Sequence, residues 1–184
     1  MNFISYERFG VNFVSRAVNL DRVKAAVAEV AGDSFRIGPM GAGPGGVAVV
    51  QADGEIGSPV VEEIPGLMLK FDAKLPITLN LEVRLATVPQ RYRGEILVPL
   101  SLSVRTVEPL TLLIEVEPIV ARDVSVDLRS AGMSAGLLKR LGNIDDEVRK
   151  QVAQVVNGRL DSKEARASRE IDVGSLIDKA MTDR

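Results

Sequence analysis

The 184-residue chain carries 23 basic and 25 acidic side chains, a formal charge of −2, is 46% hydrophobic, and contains no Cys, His or Trp. At roughly 100–200 residues per domain it is one domain or two small ones, with enough apolar content for a real core; the missing Cys and His remove disulfides, thiol nucleophiles, iron–sulfur clusters and the usual zinc ligands. Basic and acidic residues are interspersed, so no sequence-wide positive field exists to grip a polyphosphate, and nucleic acid is not expected as a partner.

In chain order, residues 1–37 form a helical zone. Phe9, Phe13, Val14, Ala17, Leu20, Val23, Val27 and Val30 recur at three- and four-residue spacings, the signature of an amphipathic helix. The stripe is read as one helix broken near Asn19 or two in series, with Asp21 placed to cap the second part and Gly32 to stop it. Glu7, Arg8 and Arg16 interrupt the start, so it lacks the apolar block of a signal peptide. No apolar run reaches the ~20 residues that cross a bilayer, and the chain reads as cytoplasmic. Residues 38–46 hold five Gly and two Pro in nine positions, a composition that predicts a loop rather than a helix or central strand.

Residues 47–129 alternate with a period of two. Leu75, Ile77, Leu79, Leu81, Val83 and Leu85 share one face; Ile96, Val98, Leu100, Leu102 and Val104 repeat the pattern, as do Leu110, Leu112, Ile114 and Val116, and then Val124, Val126 and Leu128. Residues 47–52 and 67–73 add strands before them. The linkers at 88–94, 107–109 and 117–122 are short, which suits an antiparallel meander of five or six strands and not parallel crossovers. Residues 137–184 return to helical spacing. Leu137, Leu138 and Leu141 suggest a short helix stopped at Gly142, and Ile144, Val148, Val152, Val155, Val156 and Leu160 stripe a long one with Asp145 as its cap. A polar tract at 161–170 leads to Ile171, Val173, Leu176, Ile177 and Met181, a terminal helix or tail that docks. The whole is expected to be a single domain spanning 1–184.

Motifs for chemistry are sparse. Gly41, Gly43 and Gly46 spell G-x-G-x-x-G, but Pro44 interrupts it and strand-like residues follow, whereas a dinucleotide fingerprint opens a helix. Glu62 with Glu63, Glu115 with Glu117, and Asp145, Asp146 and Glu147 are carboxylate groups that solvated faces and caps explain more cheaply than acid/base work. No catalytic residue, metal ligand or cofactor is assigned, and the chain is read as a non-enzyme. Arg91, Tyr92 and Arg93 are placed at a hairpin tip, where two cations beside an amphipathic ring are candidates for transient contact with membrane headgroups. The plainer reading, with Tyr92 folded back on the sheet, is favoured.

The aliphatic, aromatic-poor stripes carry two readings. Smooth Leu, Ile and Val walls suit an acyl chain or form a solid core. The lining expected for an elongated apolar ligand is Leu79, Leu81, Val83, Val98, Leu100, Leu102, Leu112 and Ile114 from the sheet, with Val152 and Val156 from the long helix. The alternative is a solid interaction module that forms a homodimer or docks through an exposed strand or its terminal helix.

The order of these elements, namely the stripe from Phe13 through Leu20 to Val30, the alternating strands from Leu75 to Leu128, and the helix at 148–160 leading to Ile171 and Val173, resembles the tubular lipid-binding superfamily. This is the fold of bactericidal/permeability-increasing protein, takeout-like proteins and synaptotagmin-like mitochondrial-lipid-binding (SMP) domains; residues 155–160 look like the terminal-helix sequences of such modules. The resemblance implies an α+β fold in which a long, highly curved antiparallel sheet wraps N-terminal and C-terminal amphipathic helices around a cavity for lipid. It supplies no catalytic motif. A helix-grip fold, with one long C-terminal helix held by the sheet, is the alternative, though it normally begins with a strand.

Overall fold

A computed structural model describes residues 2–66, 68–85, 88–128, 132–142 and 144–182. Its centre is a pair of long strands, β4 (Lys70–Leu85) and β5 (Val88–Val107), joined antiparallel along their whole length from Lys70↔Ser103 to Leu85↔Val88. Every second residue of β4 from Phe71 to Val83 is buried, as are Ile96, Val98, Leu100 and Leu102 of β5. The two-residue period puts all of them on one face, which fixes the register, since a slip by one would expose them all.

Around this pair lie β1 (Ser34–Ala42), β2 (Ala48–Ile56), β3 (Val60–Ile64), β6 (Thr111–Val116), β7 (Ser125–Asp127) and β8 (Glu170–Asp172). The order is β1-β2-β4-β5-β6-β8, with β3 beside the first part of β4 and β7 beside the middle of β5. All pairings described are antiparallel, and the sheet curls into a half-barrel with helices at both ends. The antiparallel sheet is as the alternation predicts, and its curvature and the α+β class are as expected from the order of elements.

The helices are α1 (Tyr6–Ala17), α2 (Leu20–Ala28), α3 (Ala135–Leu141), α4 (Ile144–Leu160), α5 (Lys163–Ser168) and α6 (Val173–Thr182). Ser5 Oγ accepts from Arg8 N at 3.1 Å to cap α1, and Asn19 Oδ1 accepts from Arg22 N at 3.0 Å to cap α2. The cap of the second helix is therefore Asn19, not Asp21, which lies inside the first turn. Likewise α4 starts before Asp145, and Asp145, Asp146 and Glu147 occupy its first turn, where the helix dipole favours acids. α4 covers the inner face of the sheet as expected, burying Ile144, Val148, Val152, Ala153 and Val156. Of the two N-terminal helices the covering one is α2, through Val23, while α1 buries no residue and touches the core only by the partly buried Val14 and Ala17.

Several boundaries differ from the sequence reading. The helical zone does not reach residue 37, because β1 begins at Ser34, and the Gly/Pro run 38–46 is no loop: its first five residues complete β1, and Pro44–Gly46 form a 3₁₀ turn. A register shift between Ile37 and Met40 absorbs Gly38 and Pro39 on an edge strand, where a missing N–H is tolerated. Gly38 has φ +80°, and a Cβ there would lie 2.6 Å from the Val50 carbonyl oxygen, so the bulge requires glycine. Residues 88–94 are not a linker but the start of β5. Residues 125–127 pair with β5 instead of extending the meander, and Ile171 joins the sheet in β8 before α6 begins. Leu67, Ala86 and Arg129 and the side chain of Leu138, which the sequence reading used, lie outside the described residues.

Candidate functional site

An apolar cleft of about 290 Å³ opens where α2, the sheet and the α4–α5 corner meet. Each wall follows from a local pattern. Val23, Ala26, Val27 and Val30 stand three and four residues apart and present one face of α2 and the turn after it. Leu75 of β4, Leu100 and Leu102 of β5, and Ile114 and Val116 of β6 form the floor, neighbours through the pairing of Leu102 with Val116. Val156 and Leu160 of α4 and Ala165 of α5 close the far side.

The polar groups stand at the rim. Asp33, at the corner between α2 and β1, forms an ion pair with Nη1 of Arg159, whose Nη2 also donates to the Ser34 carbonyl at 3.0 Å. Arg169 donates through Nη2 to the Leu160 carbonyl at 2.7 Å and through Nε to that of Ala165 at 3.1 Å, which folds α5 back on the end of α4. Glu29, Ser162, Glu164 and Ser168 complete the rim. The only buried residues in the described structure are hydrophobic, so the floor offers dispersion contacts and no charge, with direction supplied at the mouth.

Four of the ten residues expected to line a ligand cavity, Leu100, Leu102, Ile114 and Val156, come together in this cleft. Leu79, Leu81, Val83, Val98, Leu112 and Val152 are buried in the continuous core outside it. The α2 wall and the Arg159 and Arg169 rim were not among the expected lining; the spacing of Val23, Val27 and Val30 was their signal, and no periodicity tells which end of the sheet a helix will cross.

Arg91, Tyr92 and Arg93 sit within β5, not at a tip. Strand alternation turns the two arginines outward while Tyr92 is partly buried against the core, its hydroxyl donating to Gln90 Oε1 at 2.5 Å, and Arg91 Nε lies 3.7 Å from Glu82. The candidate carboxylates are dispersed. Glu115 pairs with Arg105 at 2.7 Å, Asp146 pairs with Arg149 at 2.9 Å, and Glu62 and Glu63 are exposed on β3. Among the described residues no group of three or more acidic side chains is placed to hold a metal ion, and no helix is long and apolar enough to cross a membrane. Comparison with known proteins gives no matching family model and no matching curated protein.

Proposed function

We propose that the protein binds an elongated hydrophobic molecule, a single acyl chain or a molecule of similar girth, in the cleft between α2, the sheet and α4–α5. The observation that carries this reading is the apolar floor of Leu75, Leu100, Leu102, Ile114 and Val156 beneath a charged rim, in a volume of about 290 Å³. That volume is at the small end of the ~300–1,000 Å³ typical of ligand sites. An apolar floor of this size suits a single acyl chain, and each methylene buried there contributes about 0.8 kcal/mol before ordering costs. A carrier or transfer role, as the resemblance to tubular lipid-binding modules implies, accords with the curled sheet and its apolar cleft.

The test is native mass spectrometry of protein purified without detergent, organic extraction of the same sample, and a titration with a fluorescent fatty acid. The expected result is bound mass with a reproducible acyl extract, saturable uptake by the wild type, and loss of uptake in Leu100→Trp, which fills the cleft without introducing charge. Uptake unchanged in a folded Leu100→Trp protein rejects this site. One observation favours a second reading, a docking module without ligand: α6 leaves Leu176, Ile177 and Met181 exposed. A protein that neither carries nor takes up the probe, yet forms a dimer lost in Leu176→Asp, would establish it.

A further inference from the structure

The aromatic residues of this chain are concentrated outside its core. Of seven Phe and Tyr, four (Phe3, Tyr6, Phe9 and Phe13) fall in the first thirteen residues, and all four are exposed, Phe3 by 95% and Tyr6 by 97%. At 3.6 residues per turn, Tyr6, Phe9 and Phe13 occupy an arc of roughly 60° on α1. The rings of Phe9 and Phe13 lie 6.4 Å apart, inclined by 21°, as one stacked surface. Gly10, Val14 and Ala17, on the next arc, are the half-buried residues of the helix, so the body of the protein supports one edge of the apolar face and leaves the aromatic edge open.

A cationic stripe borders the aromatic one. Arg8, Asn12 and Arg16 follow each other at four-residue spacing on the arc that adjoins Phe9, Arg16 about 20° and Arg8 about 100° from it around the helix, within reach of long arginine side chains that extend to an interface. Over residues 2–24 the charges are Arg8, Arg16, Arg22 and Lys24 against Glu7 and Asp21, a net positive segment on a chain whose formal charge is −2. Rings on one face with arginines beside them are what a phospholipid surface accepts in a single plane: acyl chains receive the Phe rings, the interfacial layer receives the Tyr hydroxyl, and phosphates receive the guanidinium groups.

We propose that α1 is an interfacial helix that lays its Tyr6–Phe9–Phe13 stripe into an anionic phospholipid surface, with Arg8 and Arg16 on the phosphates. The contact is separate from ligand binding, because no residue of α1 lines the cleft.

Co-sedimentation of the full chain with vesicles tests it, comparing equal parts phosphatidylglycerol and phosphatidylcholine with phosphatidylcholine alone. The wild type is expected to sediment with the anionic vesicles, to lose binding as salt is raised, and to bind pure phosphatidylcholine weakly. Phe9→Asp combined with Phe13→Asp should lower the partition about tenfold or more, and Arg8→Glu combined with Arg16→Glu should lower it on anionic vesicles only. Circular dichroism checks that these variants remain folded, as expected for a helix that buries no residue. Three results overturn the proposal: a folded wild type that ignores anionic vesicles, a Phe9/Phe13 variant that binds them as well as the wild type, or equal binding to both vesicle types. A dimer abolished by the Phe9/Phe13 variant, without vesicle binding, would assign the stripe to a second copy of the chain. Leu100→Trp should keep vesicle binding, so failure of the cleft reading and failure of this one are told apart.

Discussion

Asn157 ties the chain beyond β6 to α4 by gripping a single peptide: Ile119 N donates to its Oδ1 at 2.9 Å, and its Nδ2 donates to the Ile119 carbonyl at 2.8 Å. Ile119 itself is buried, so water cannot readily replace either bond. Asn157→Ala should cost about 1–3 kcal/mol, the penalty for leaving buried polar groups unpaired, as a lowered urea midpoint with an unchanged slope. Asn157→Asp keeps the acceptor for Ile119 N but sets an oxygen against the Ile119 carbonyl in place of the donor, so it too should lower the urea midpoint at neutral pH. Asp172 fixes another helix. It caps α6 by accepting from the Ser175 hydroxyl at 2.7 Å and Ser175 N at 2.9 Å, and these bonds, the hydroxyl's first, hold its carboxyl below the ordinary value. The cap's contribution is therefore complete above the unfolded carboxylate pKa of about 4 and is lost as pH falls through the lower folded value. The Ser175 amide resonance should report that loss on acidification, and Asp172→Asn should flatten its pH dependence.

At the scale of elements, the two long strands contain both sealed core and cleft floor, and truncation distinguishes them. Leu79 is fully buried among core neighbours, so Leu79→Ala should cost about 2–5 kcal/mol in chemical denaturation. Leu100 borders space that already exists, so Leu100→Ala should cost less than Leu79→Ala while widening the cleft. Equal costs would argue that the cleft is closed in solution. The inward faces of β4, β5 and β6 were legible because one face is buried and the period is two, so Leu75 and Leu100 could be assigned to the interior without tertiary information. The start of β5 was not, because Pro89 and Gly94 are turn signals. Pro89 is accommodated where, among the described residues, β5 has no strand on its second edge: β7 reaches only Glu95 to Leu97, and β6 only Leu102 to Val107. β1 was hidden for a related reason, since a bulge at Gly38 and Pro39 reads as a loop in composition. β8 has three residues, too few for any alternation to register. For the site, the apolar faces could be read but the crossing points of α2 and α4 over them could not, and so Leu100, Leu102, Ile114 and Val156 line the cleft while Leu79, Leu81 and Val83 do not.

On the scale of the whole molecule, the half-barrel has a continuous hydrogen-bonded wall of paired strands, and the proposed ligand cleft opens where α2 and the α4–α5 corner meet that wall. The rim there is bridged by Arg159, which joins the end of α4 to Asp33 and Ser34 at the corner between α2 and β1. The Arg159 and Asp33 side chains are 37% and 42% exposed, so the pair is screened by solvent and its contribution to stability should be small, about 0–1 kcal/mol. Its position matters more than its strength, because Asp33 and Arg159 both line the cleft and any separation of the end of α4 from the corner before β1 must break it. If the cleft exchanges its ligand through this mouth, Arg159→Gln should leave the urea midpoint nearly unchanged while removing a bond that the opening step has to break. A loss of about 0.5–1 kcal/mol from that barrier corresponds to a two- to fivefold faster release of a bound fluorescent fatty acid. Raising the salt concentration should speed release from the wild type toward the variant's rate and affect the variant less, since the screened ion pair is already absent there. Stopped-flow displacement by excess unlabelled fatty acid measures both rates. Identical release from wild type and Arg159→Gln at low salt would place the entrance elsewhere on the half-barrel.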